Sequence, residues 1–166
     1  MLEIKPFVQS DPSLCGPAVI KMLLNYYGIE ASESEIAERC HHTYEVGCTD
    51  LQMKEALESY GLAVKIYENS SIEDLKYWIN HRIPIIIDWF SVSGSDDDVG
   101  SGHSSIVVDV DTERVYLIDP WNGDVRKIKH KNFLGVWFDW RTDPYITTWE
   151  NMILRQAMIA YPARLA

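Results

Sequence analysis

Apolar positions change their period near the middle of the chain. From Cys15 onward, Ala18, Val19, Met22, Leu23 and Tyr26 recur at helical spacing, and Gly28 ends the run. The helix opens on Cys15-Gly16-Pro17, and proline suits a first turn. Ser32 and Glu35 have capping-box spacing and start a short second helix to about Cys40. Thr49 and Gln52 repeat that spacing before a third helix carrying Leu51, Ala56, Leu57 and Tyr60, which Gly61 closes. A strand over Leu62–Tyr67 follows, then a fourth helix over residues 72–82 with Ile72, Leu75 and Ile79 on one face.

Beyond that point the pattern is of strands. Residues 83–90 are apolar and β-branched and read as a buried strand, although Asp88 lies within it. Residues 91–102 are rich in Ser, Gly and Asp and read as a loop. Residues 103–110 and 114–119 form a hairpin around Asp111-Thr112-Glu113. Residues 124–129 alternate as a further strand, 130–140 read as a short helix or turn, and 155–161 as a closing strand. Helices first and strands afterwards predict an α+β domain. No repeat or linker divides residues 1–166, so a single domain is expected.

Composition narrows the function classes. The 166 residues suffice for a real core, and 46% are hydrophobic. The net charge of -10 repels phosphate backbones, so no nucleic-acid partner is expected, and docking on anionic membranes gains no support. No stretch approaches the ~20 apolar residues of a membrane span. The first residues lack the basic and apolar regions of a secretory signal. Three cysteines, Cys15, Cys40 and Cys48, suit a reducing compartment rather than a disulfide framework, so the cytoplasm is expected.

The candidate chemistry begins at Cys15. Unpaired N–H groups at a helix start carry partial positive charge and favour a thiolate, the nucleophilic form of cysteine. An imidazolium from elsewhere in the chain contributes more. Of five histidines, His103 is the best placed, following Gly102 at the mouth of a strand whose Ile106 and Val108 alternate into the core. Its base role needs an orienting group, and Asp119 lies near the end of the partner strand. The turn leaves them about three residues out of register, or roughly 10 Å along the strands, a gap that a longer loop or a bulge would close. Gln9, six positions before Cys15, is the candidate oxyanion donor alongside the Cys15 backbone N–H.

These residues carry a resemblance. Gln9-x5-Cys15-Gly16-Pro17-Ala18 resembles the entry motif of the C39 peptidases, the papain-like double-glycine peptidases. Gly102-His103 before an apolar strand, then Asp119-Pro120-Trp121-Asn122-Gly123, is similar to that family's G-H and D-P-x-x-G segments. The segment 47–62 and Phe133 before Trp137 or Trp140 fit the same layout, so the likeness runs from about Val8 to Trp140. It implies a papain-like fold, with the nucleophile helix in the N-terminal helical part and an antiparallel sheet after it. It implies Cys15 as nucleophile, His103 as base, Asp119 as orienter and Gln9 in the oxyanion hole. The chain looks like the free-standing branch of the family, whose substrates are less predictable; for this chain, peptide-bond cleavage through a thioester on Cys15 is expected, with no cofactor. A peptide or protein is then the expected substrate. The alternatives are an acyl or peptidyl transferase using the same thioester, and a non-catalytic peptide-binding module.

Two other clusters have plainer readings. Cys40, His41, His42 and Cys48 suggest zinc, but the spacing between the cysteines is wide for a zinc knuckle, so no metal is expected. Asp96, Asp97 and Asp98 lack the alternation of a calcium loop and read as a solvated tip.

Overall fold

The structure, a computed structural model, describes residues 1–91, 101–140 and 148–163. Asp96, Asp97 and Asp98 lie outside the described residues. Helix α1 spans Cys15–Tyr26 and buries Val19, Ile20, Met22, Leu23 and Leu24 completely. Side chains of that size each contribute about 1.5–3 kcal/mol when buried, so α1 is anchored by its own apolar face. Helix α2 spans Glu33–Arg39 and α3 spans Asp50–Ser59. Both start in the expected capping boxes, Ser32 with Glu35 and Thr49 with Gln52. Strand β1, Leu62–Tyr67, leads to α4, Ile72–Asn80, whose Ser71–Asp74 box is a third cap of the same kind.

The strand half begins at β2, Ile85–Ser91, two residues later than the sequence suggests. Pro84 has no N–H to give a ladder, which accounts for the delay. Strand β3, Ser101–Val110, pairs with β2 as far as Ser91↔Ser101. The expected loop is therefore strand at both ends, because the ladder continues past Phe90↔Gly102. Strands β4, Arg114–Ile118, and β5, Val125–Lys129, complete a meander. Residues 130–140 split into helix α5, His130–Val136, and strand β6, Phe138–Trp140. A 3-10 turn over Trp149–Asn151 precedes β7, Met152–Leu154, and β8, Ala157–Pro162, ends the described fold.

Six strands form one antiparallel sheet in the order β1-β8-β2-β3-β4-β5, while β6 and β7 form a separate pair. The closing strand β8 thus enters between the edge strand β1 and β2. A single buried cluster joins α1, α3 and α4 to this sheet, with α1 lying on β3. The N-terminal arm runs back along it: Leu2 N–H donates to the Val108 carbonyl at 2.8 Å, and Gln9 N–H to the Pro120 carbonyl at 2.8 Å.

One irregularity positions the site. The β3–β4 register shifts by one residue between Val107 and Asp109. Before the shift, seen from the turn, Asp109 faces Tyr116; after it, Ile106 faces Ile118. Continuing the second register one step puts Asp119 opposite Ser105, on the same face as His103. Continuing the first would have put Asp119 opposite Ile106, on the other face. Of the two expected devices, a longer loop or a bulge, a one-residue bulge is present; it narrows the offset of His103 and Asp119 from three residues to two and decides which side of the sheet the carboxylate joins.

Candidate active site

Cys15 is the first residue of α1 and is half-buried. Leu14 gives the helix no side-chain cap, so the positive pole at the start of α1 rests on the N–H groups of Cys15 and Gly16, Pro17 having none to add. His103 and Ser104, consecutive on β3, both interact with it. Burial pushes the thiol up, but the hydrogen bond and charge of His103, with hydrogen bonds from Ser104, bring it below its ordinary value.

His103 and Asp119 meet directly, with Nε2 and Oδ1 2.7 Å apart. A carboxylate only accepts, so Nε2–H donates and Nδ1 is left for the thiol. Burial alone lowers the imidazole, but Asp119 and Cys15 outweigh it and raise His103 to about 9. Asp119 is 2% exposed. Burial raises it, yet His103, the Trp121 N–H at 2.9 Å and Arg126 at 2.9 Å together hold it well below the usual carboxylate range. A lowered thiol beside a raised imidazole favours the thiolate–imidazolium pair at neutral pH. That pair is competent for acyl transfer.

Gln9 is brought to the same neighbourhood through the Pro120 carbonyl. Its side chain is buried, and Nε2 donates to the carbonyls of Asp11 at 2.8 Å and Pro12 at 3.0 Å. Both amide hydrogens thus brace the turn that leads into Cys15. An oxyanion role for Gln9 requires one of them to leave its carbonyl when a substrate arrives.

Several site residues were missed by sequence reasoning. Arg126 binds Asp119 Oδ2, and its guanidinium lies 5.0 Å over the Trp89 ring. The signal was present in β5, where Arg126 shares a face with the half-buried Ile128. On the other side of His103, Ser104 Oγ donates to Asp88 Oδ1 at 2.5 Å, and Gln156 Nε2 donates to Oδ2 at 3.1 Å. Asp50 and Asp139 also face Asp88. Asp139 explains Gly102: a Cβ there would stand 2.6 Å from both carboxylate oxygens. In the zinc candidate, Cys40 and Cys48 interact with each other, while His42 Nε2 lies 3.0 Å from Ser13 Oγ. Among the described residues no three such side chains are gathered to hold a metal. Nor is any described helix long and apolar enough to cross a membrane.

The architecture is that of papain-like C39 peptidase domains. The chain belongs to the Peptidase_C39-like family, whose model matches residues 1–143. It is similar to a double glycine motif protease from an AMS/PCAT transporter, solved in complex with the leader peptide. That match has 21% identity and a TM-score of 0.70, over 97% of this chain and 93% of that one. The peptidase domain of Streptococcus ComA, a bi-functional ABC transporter involved in a quorum sensing pathway, matches at 20% identity and a TM-score of 0.70. Coverage there is 96% of this chain and 99% of that one. The Streptococcus mutans ComA peptidase domain matches at 17% identity and a TM-score of 0.61, over 95% and 99%. No curated protein sequence gives a significant match.

Proposed function

We propose that this chain is a cysteine peptidase that cleaves peptide bonds through a thioester on Cys15. The observation that carries the reading is the convergence of Cys15, His103 and Asp119, with the His103–Asp119 contact at 2.7 Å. The Cys15 thiolate attacks an amide carbonyl. The start of α1, and Gln9 once one amide hydrogen is released, stabilise the oxyanion. His103 protonates the leaving amine through Nδ1 while Asp119 holds the ring. Water, activated by His103, then cleaves the thioester and frees the thiolate. A relative solved with a leader peptide supports a peptide substrate for this chain. All three cysteines are free, which suits a reducing compartment such as the cytoplasm.

Brief alkylation followed by mass spectrometry tests the nucleophile. Cys15 is expected to label far faster than Cys40 and Cys48 at neutral pH. His103→Ala should slow that labelling at least about tenfold, since burial then raises the thiol without the imidazole to offset it. Equal labelling of the three cysteines removes the reading. Product analysis with and without an added amine separates hydrolysis from acyl transfer.

A further inference from the structure

Four side chains from four adjacent strands close a ring behind the Cys15 thiol. His103 on β3 bonds Asp119 at the end of β4 at 2.7 Å. Asp119 takes Arg126 of β5 at 2.9 Å. The Arg126 guanidinium lies 5.0 Å over Trp89 of β2, and the Trp89 ring stands 6.4 Å from the His103 ring. Trp89 is 2% exposed and is itself fixed, its Nε1 donating to Ser105 Oγ at 3.0 Å.

The division of labour at the carboxylate is specific. Oδ1 accepts from His103 and from the Trp121 N–H, and Oδ2 accepts from Arg126. The terminal torsion of an aspartate is broad and roughly two-fold, so contacts on one oxygen alone leave the plane loosely held. The guanidinium on the second oxygen fixes the plane and keeps Oδ1 on the ring nitrogen. It also adds a positive charge one carboxylate away from the imidazole.

We infer that Arg126 is a positioning residue of the catalytic centre, one that sets the Asp119 carboxylate for His103 while braced on Trp89. This rests on the Cys15–His103–Asp119 reading above and extends it to a fourth residue. With Arg126 the row Arg126, Asp119, His103, Cys15 alternates in charge and sums to zero. Without it the row carries a net negative charge, which disfavours the thiolate. Other titratable groups stand around the centre. Among the described residues they include Cys48, which faces Cys15, and Asp88 on β2, beyond Ser104, with Asp139 on β6 and Asp50 at the start of α3 facing it. All of them stay unchanged in the variants below, so a difference reports on Arg126.

The test is the pH profile of Cys15 alkylation in the full chain, which needs no known substrate. Arg126→Met is expected to move the acid limb upward by at least about half a pH unit. Arg126→Lys, which keeps the charge, should return most of that shift. Lys129→Met, on the same strand with the same charge change, should leave the limb in place. A superimposable Arg126→Met profile, or an equal shift in Lys129→Met, overturns the assignment. If Arg126→Met fails to fold, Arg126→Gln is judged by the same two outcomes. Slow labelling of Cys15 in the unmodified protein would instead remove the nucleophile reading. A fast Cys15 with an unmoved Arg126→Met profile removes Arg126 alone.

Discussion

Asp119 and Asp88 are both buried, 2% and 8% exposed, and they stand on opposite faces of the sheet around β3. His103 reaches one and Ser104 the other, and consecutive strand residues point to opposite faces. Burial pushes both carboxyls up. At Asp119 the partners are His103, Arg126 and a backbone N–H, and they reverse the push. At Asp88 the charged neighbours are the carboxyls of Asp50 and Asp139, which add to it, and the Ser104 hydrogen bond does not offset them. One site stores a charge and the other expels one. The lesson is that the sign of the neighbours, rather than depth, decides what a buried aspartate does beside this thiol.

The sharpest way to break this contrast is to exchange each carboxyl for its amide. Asp119→Asn is expected to lower turnover of any cleaved peptide about 10²-fold or more. It should also return the His103 titration, followed by NMR, from about 9 towards its ordinary value. Asp88→Asn should leave the His103 titration nearly in place. Equal displacement by the two variants would erase the distinction.

Next in size is packing beside Asp139. Gly102→Ala brings a Cβ to 2.6 Å from both Asp139 carboxylate oxygens. The expected loss is about 1–3 kcal/mol, read by chemical denaturation. Adding Asp139→Ala should restore most of it. A neutral Gly102→Ala would mean that Asp139 does not sit over that backbone.

Stability against pH separates the two faces by sign. Burial raises Asp139 to about 6, and Asp88 is raised as well. A carboxyl raised in the folded state adds stability as pH falls through its folded value towards about 4. Asp119 is lowered, so its contribution is full above its unfolded value near 4 and is lost only below that. His103, raised to about 9, contributes fully below about 6.5 and loses that contribution as pH rises through 9. Denaturation midpoints should therefore rise from pH 7 to 5 in the unmodified protein, and less so in Asp88→Asn. The alkaline loss should shrink in His103→Ala. A midpoint rise that is the same with and without the Asp88 carboxyl would contradict the pressure assigned to that face.

The smallest expected effect is Asp88→Asn at neutral pH, within about 1 kcal/mol of the unmodified protein. An amide keeps the acceptor for Ser104, and removing a carboxyl from among like charges offsets the hydrogen bond lost elsewhere.

Local physics made much of this molecule legible from its residues. The period of apolar positions marked α1 and α4, side-chain spacing marked the caps of α2 and α3, and Pro84 delayed a strand that was otherwise evident. Gln9, Cys15, His103 and Asp119 were readable as candidates by a different route, because each sits in a segment that resembles a motif of the C39 peptidases. Contacts between distant segments were not readable. Whether Asp119 joined the face of His103 depended on a single shifted residue near Val108, and alternation alone does not reveal a bulge. Arg126, Trp89, Asp88 and Asp139 acquired their neighbours only when β2 to β5 were laid side by side and β6 was packed against β2 and β3. The sequence by itself determined the elements and the reactive residue types, since these follow from neighbours within a turn or two. Tertiary structure decided which charges face the thiol, since Coulomb interactions depend on distance in space rather than along the chain.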